Sequence, residues 1–400
     1  MKEQRKKYFI DKTVLFTLLY MVSYITRINY GAVISEIVRA ENMQKSTAAL
    51  ALTASAVTYG IGQLVSGYLG DRLNPKKLIL AGLLVTVAMN LIIPFCRSEY
   101  QMTAAWGING IAQAFMWPPL VRIMTSVFND NEYKTACLVV SCAASLGTML
   151  VYAISPLCIL IGGWRCIFFV SAVCAMAMAA AWRRKCPEVR ATGAEKQTSG
   201  GTMPVDVRIM LGAVMVVIAL QGVLRDSVST WMPSYIAEVF HMDNKIAILT
   251  GVVLPIISIL TTQLAGLIYR KFLKTELLLA SVMFAGGFAS SILLYAVSDG
   301  AVGLSVGLAA LLSGCMYGAN WVLTSVLPLH FARYGKISFV TGLLNCSAYV
   351  GSAVSVYGIA VFSEHCGWAN TLLLWGELAL AGGVICAVGG LMWKRVFKAS

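Results

Sequence analysis

Gly67-Tyr68-Leu69-Gly70-Asp71-Arg72-Leu73-Asn74-Pro75-Lys76-Lys77 is a short charged connection set between two long apolar runs. Working outward from it, runs of roughly 20 apolar residues, the length a helix needs to cross hydrocarbon, recur on both sides. They fall near 13–38, 47–69, 77–95, 101–127, 134–160 and 164–182, then near 208–237, 246–269, 275–297, 302–331, 337–362 and 369–392. The expectation is an all-α membrane protein with twelve transmembrane helices. Composition agrees, since 58% hydrophobic and 12% charged residues exclude an ordinary soluble domain.

The formal net charge of +13 suggests nucleic acid only until the bases are located. They cluster between apolar runs: Lys2 to Lys7, Arg72 with Lys76 and Lys77, Arg183 to Lys185, Arg270 with Lys271 and Lys274, Arg333 with Lys336, and Lys394 with Arg395 and Lys398. Under the twelve-span count all of them face one side, which sets orientation by the positive-inside rule and predicts cytoplasmic termini in a plasma or inner membrane. A nucleic-acid partner is not expected. Eleven cysteines lie mostly alone in apolar runs, with no Cys-x-x-Cys spacing, so neither a metal nor another cofactor is expected. The first apolar segment is too long for a signal peptide and is expected to remain as the first span.

Residues 186–206 are polar and rich in small side chains, and read as a cytoplasmic linker between a six-helix half, 1–185, and a second, 207–400. Features recur across that break. Gly163-Trp164 precedes the sixth span and Gly367-Trp368 the twelfth, and arginines occur well inside the first and seventh spans, Arg27 and Arg225. Parallel repeats of this kind, with substrate held at mid-depth between them, are a transporter architecture.

Each arginine lies about fifteen to eighteen residues into its span, near mid-depth at about 1.5 Å per residue. Arginine at a helix centre costs about 2.5–3.5 kcal/mol on insertion scales, so it needs a partner, a cavity or a function. One reading is structural: either arginine pairs with an acid such as Asp226 or with backbone carbonyls. The other is that both guanidiniums take an anion, most naturally a phosphate, whose oxygens their planar forks match. Tyr20 and Tyr24 share a helix face with Arg27 and either donate hydroxyls to the ligand or pack between helices. Tyr59, Tyr317 and Tyr349 suit a cavity lining in glycine-rich surroundings.

The opening connection resembles the signature loop between the second and third helices of the major facilitator superfamily, with Gly67, Asp71, Arg72, Lys76 and Lys77 at the motif positions. Asp71 there either caps a helix terminus or pairs with a base at the cytoplasmic gate. Gly266-Leu267-Ile268-Tyr269-Arg270-Lys271 looks like a decayed copy with Tyr269 in place of the acid.

Within that superfamily the chain resembles the organophosphate:phosphate antiporters, over nearly all of its 400 residues. The matching pieces are Tyr20, Tyr24, Arg27 and Asn29; Tyr59-Gly60 with the signature loop; Trp117-Pro118-Pro119 through Arg122; Leu224-Arg225 with Trp231, Pro233 and Tyr235; Tyr317-Gly318; and Thr341-Gly342 with Tyr349 and Gly351. The resemblance implies an alternating-access carrier, working as a monomer, in which Arg27 and Arg225 bind the phosphoryl group of a small anionic substrate exchanged for inorganic phosphate. It also implies departures: Gln63 stands where the glycerol-3-phosphate carriers have a lysine, and Ser145 where they have a histidine. Loss of these cationic groups points to a less charged or different ligand.

Other residues carry weaker readings. Arg122 is expected to pair near the Asp71 loop. Glu377, inside the twelfth span, is a possible proton site if buried. Glu36 and Glu238 suit an outer gate or rim, His330 an interface, and Asp226 is expected to point about 100° from Arg225 and to neutralise a neighbour. The alternatives to antiport are a proton- or sodium-coupled symporter of an organic anion such as a sugar acid, and a transporter-like receptor for a sugar phosphate. Thr26 lies where such symporters carry an acid, which argues against the first. No Walker A loop and no nucleophile–base–acid grouping occurs, so neither an ATP-driven pump nor an enzyme is expected.

Overall fold

Helices start and stop where proline, glycine and charge interrupt the apolar pattern. The computed structural model describes residues 2–43, 45–188, 203–242, 250, 253–297 and 301–398. Linker residues 189–202 and the beginning of the span expected at 246–269 lie outside the described residues, as do the side chains of Lys394, Arg395 and Lys398. The chain forms α1 (Lys2–Ala32), α2 (Ile34–Ala40), α3 (Lys45–Arg72), α4 (Pro75–Ile92), α5 (Glu99–Ala114), α6 (Trp117–Val127), α7 (Asp130–Gly162) and α8 (Arg165–Lys185). After the linker come α9 (Val205–Val239), α10 (Val253–Lys271), α11 (Glu276–Ala296), α12 (Val302–Trp321) and α13 (Ile337–Lys398). No strand occurs among the described residues. Ten helices there are long and apolar enough to cross a bilayer.

Several expected spans are not single straight helices. The one at 101–127 divides into α5 and α6 because Pro118 and Pro119 fall in the first turn of α6, where a missing N–H costs nothing, and not in a helix interior. The one at 13–38 breaks at Val33, between α1 and α2. The one at 302–331 passes from α12 into a π turn, Val322–Val326, and a 3-10 stretch, Leu327–Tyr334, that carries Pro328. The repeated Gly-Trp pairs do share a role. Gly163, with φ 67°, separates α7 from α8, and Gly367, with φ 79°, breaks the long α13. Both angles lie where a side chain clashes and glycine does not.

Contacts divide the chain into two units, Met1–Gly200 with Leu329–Leu343, and Gly201–Pro328 with Leu344–Ser400. The first unit has two apolar clusters. One gathers Phe16, Leu19, Leu83, Trp117 and Trp182; the other gathers Tyr30, Trp106, Trp164 and Phe168. At one end of this unit the basic groups meet: Arg5 binds Glu132 at 3.0 Å, Lys12 donates to the Lys185 carbonyl at 2.6 Å, and Lys76 binds Glu188 at 2.7 Å. The hydrogen bonds from Arg5 hold the Glu132 carboxyl below the usual carboxylate range.

In the second unit α9 crosses α13 at two glycines. A Cβ on Gly222 would stand 3.1 Å from Ala348 Cα, and one on Gly351 would stand 2.8 Å from the Ala219 carbonyl carbon. Inside a membrane such close backbone approach supplies the van der Waals contact that holds helices together. Gly351→Ala is therefore expected to push the pair apart and lower stability by about 1–3 kcal/mol. A thermal melt of the purified variant indistinguishable from wild type would refute this crossing.

Candidate anion site

Between the two apolar clusters of the first unit runs a layer of buried amides and hydroxyls. Asn29 donates to Asn90 Oδ1 at 2.7 Å and to Ser171 Oγ at 3.0 Å. Asn90 donates to the Thr86 carbonyl at 3.0 Å, Asn109 to the Thr26 carbonyl at 3.1 Å, and Gln113 to Thr26 Oγ1 at 2.8 Å. These bonds tie α1 to α4, α5 and α8 at the level of Thr26 to Asn29. Buried polar groups are costly unless paired, so the network fixes the rotation of α1 about its axis.

That rotation positions Arg27. Its guanidinium carbon lies 4.2 Å from the Tyr24 ring centroid and 4.6 Å from that of Tyr59 on α3. Tyr20 continues the aromatic face, 5.3 Å from Tyr24 and 4.6 Å from Trp117. A cation over ring faces is held by the ring quadrupole, worth about 0.5–2 kcal/mol per contact.

Arg225 pairs with an acid, the structural alternative that the sequence left open. Its Nε donates to Asp226 Oδ1 at 2.7 Å and its Nη2 to Oδ2 at 2.9 Å, a bidentate pair between adjacent residues. Asp226 thus neutralises Arg225 itself: the flexible arginine side chain folds back to its neighbour despite the angle between them on α9. Ser352 of α13 donates to Asp226 Oδ2. Tyr317 of α12 presents its ring 5.6 Å from the Arg225 guanidinium carbon, and Tyr349 of α13 interacts with it electrostatically.

In the signature loop, Asp71 Oδ1 accepts from the Ser338 N–H at 3.0 Å and Oδ2 from the Phe339 N–H at 2.7 Å. The carboxylate therefore caps the first turn of α13, where backbone N–H groups lack partners and the helix dipole favours negative charge. Arg122 donates to the Gly70 carbonyl and lies in the field of Asp71. Gly67 makes room, since a Cβ there would lie 2.7 Å from the Ser338 carbonyl oxygen. Asn74 caps α4 by accepting from Lys76 N at 3.0 Å and Lys77 N at 3.3 Å.

The family model of the Major Facilitator Superfamily matches residues 16–356. The chain belongs to the Major Facilitator Superfamily. A probable hexose phosphate transport protein of Chlamydia muridarum is 26% identical over 159 residues, 40% of this chain and 35% of that protein. The glycerol-3-phosphate transporter of Bacillus subtilis is 22% identical over 372 residues, 86% of this chain and 83% of that protein. The chain thus spans only about a third of the hexose phosphate relative but most of the second. The solved proton:xylose symporter XylE superposes with a TM-score of 0.77 over 97% of this chain and 96% of its own, at 12% identity, a likeness of fold alone. The protein is a multi-pass membrane protein of this superfamily.

The remaining candidates in this superfamily member are placed unevenly. Gln63 is fully buried one turn beyond Tyr59, and its Nε2 reaches the Ala114 carbonyl at 3.5 Å. Ser145 lies half-buried on α7, close to Gly147, where α7 backs onto Met21 and Tyr24. Glu377 is exposed, which corrects the premise of a buried carboxylate in the last span. Glu238 accepts from Trp368 Nε1 at 2.7 Å on an exposed surface, and Glu36 and His330 are half-buried. In the decayed loop copy Tyr269 donates to the buried Glu276 at 2.6 Å, so an acid is present, on the next helix. Sequence reasoning missed Ser352 and the Asn90, Asn109 and Gln113 layer; the signal available was polar side chains inside otherwise apolar runs.

Proposed function

We propose that this transporter carries an organic phosphate of the sugar phosphate or glycerol phosphate class in exchange for inorganic phosphate. Arg27 and Arg225 act on the phosphoryl group. The observation that carries this reading is Arg27, a cation set deep in α1 among the rings of Tyr24 and Tyr59. The phosphorylated substrates in the names of two relatives favour the same class. The protein works as a monomer in the cell membrane, with both termini cytoplasmic and residues 1–185 and 207–400 as its two halves.

The test is counterflow of labelled inorganic phosphate in proteoliposomes loaded in turn with phosphate, glycerol-3-phosphate, a hexose phosphate and a phosphonate. Exchange with an organic phosphate supports the assignment. A folded, inserted protein that exchanges none of them refutes it. The second reading, an ion-coupled symporter of an organic anion, is favoured by one observation, the Arg225–Asp226 pair, which lowers the charge available to a dianion.

A further inference from the structure

We infer that a groove between α9, α11 and α13 seats one acyl chain of an anionic phospholipid, with the headgroup at the end where α9 and α11 begin. The inference is independent of what the protein transports. The groove has a volume of about 290 Å³, and every side chain that lines it is apolar. Its floor is buried: Met210, Val214 and Val217 of α9, with Leu277 in the first turn of α11. Its rims, Ile209 on one side and Val388 on the other, are exposed. Gly389 of α13 keeps the space open, since a Cβ there would already stand 3.4 Å from Leu277 Cδ1. The walls run from Ile209 to Val217 and from Val384 to Met392, about 12 Å each at about 1.5 Å per residue. One leaflet of hydrocarbon is about 15 Å deep, so the groove suits a single chain lying along it. A helix, about 10–12 Å across, is too wide to seat there.

Charge at one end of the groove says what kind of lipid fits. Arg208 adjoins the rim residue Ile209, and Lys274 precedes the floor residue Leu277 by three positions; both are exposed. The sequence adds Lys394 and Arg395 just past Met392. Two helices also start here, α9 after Pro204 and α11 after Thr275, and neither start is capped by a side chain. Their N–H groups and dipoles therefore add positive potential at the same end. Against this stand Asp206, which is exposed, and Glu276, which is buried and already accepts from Tyr269. The balance is positive, and it complements a headgroup whose phosphate charge is not cancelled by an amine. Long basic side chains can rest their stems on the apolar rim and hold their charges at headgroup level.

The experiment uses the full chain in nanodiscs, with phosphatidylglycerol carrying a photoactivatable group on one acyl chain as probe and unlabelled lipids as competitors. Labelling is expected to map to 209–217 and 384–392. Unlabelled phosphatidylglycerol is expected to displace the probe better than phosphatidylcholine with the same chains, by about fivefold for each basic group it meets. Gly389→Leu is expected to fill the groove and abolish this labelling. Should that variant fail to fold, Ala213→Trp carries the test, because Ala213 lines the groove from an exposed position. Arg208→Gln combined with Lys274→Gln is expected to keep the labelling and lose the preference for phosphatidylglycerol. Equal displacement by phosphatidylcholine overturns the inference, since the groove then holds only the lipid that surrounds any membrane protein. Labelling that persists in a groove-filling variant overturns it too. So does a groove that takes no label, the result expected if a second copy of the chain covers it.

Discussion

Arg27→Ala is expected to lower phosphate counterflow at least about a hundredfold while leaving the protein folded. If the fork makes two charge-assisted hydrogen bonds to a phosphoryl group, at about 1.5 kcal/mol or more each, losing both costs about 3 kcal/mol, or about a hundredfold. The fold also loses the contacts with Tyr24 and Tyr59, cation–ring contacts worth about 0.5–2 kcal/mol each, a loss the variant is expected to survive folded. Arg27→Lys keeps the charge but loses the planar fork, and is expected to fall between the two. Arg225→Ala is a poorer probe of the same idea. It leaves Asp226 without its bidentate partner, and although this part-buried pair costs less to break than the about 3–5 kcal/mol of a fully buried one, loss of transport there mixes with loss of stability. Wild-type exchange in Arg27→Ala, with a melting curve matching wild type, removes Arg27 from the anion site.

The twelve-span pattern and the signature loop were legible because both rest on local chemistry: run length, charge between runs, and the Gly-Asp-Arg spacing. The breaks in α1 and α12 were harder, for hydropathy averages over a window and does not register a change of backbone angle at Val33 or a π turn at Val322–Val326. Trp117-Pro118-Pro119 did carry a break signal in its prolines, which the apolar run around it masked. The site was legible in part. Both arginines stood out because charge deep in an apolar run is expensive, and Asp226 and Tyr24 were legible as candidate partners without the pairing itself being decided. Asp226 lies beside Arg225 in sequence, but only the rotamer of a long side chain decides whether the two pair. Asn90, Asn109 and Gln113 come together with Thr26 and Asn29 from separate helices, a juxtaposition that no local spacing encodes. Glu377 depended on the rotation of a nearly uniform apolar helix, which hydropathy leaves undetermined.

Asp71→Ala is expected to lower stability about as much as Gly351→Ala does. The carboxylate accepts two N–H groups from the first turn of α13, and Arg122, buried beside it, loses a counter-charge if it is removed. Hydrogen bonds to a charged group contribute about 1.5–3 kcal/mol each; because Asp71 is only partly buried, water recovers some of that. A net loss of about 1–3 kcal/mol is expected, seen as a fall of several degrees in the melting temperature of the purified protein. Asp71→Asn separates the causes. Its amide retains one oxygen for the Ser338 or Phe339 N–H but carries no charge, so it is expected to recover part of the cap and none of the attraction to Arg122. Adding Arg122→Gln to Asp71→Ala is expected to cost less than it does alone, because the guanidinium is then no longer facing a lost partner. Strict additivity of the two changes would show that Asp71 acts on α13 alone. An unchanged melt in Asp71→Ala would show that the signature loop does not hold α13 through this carboxylate at all.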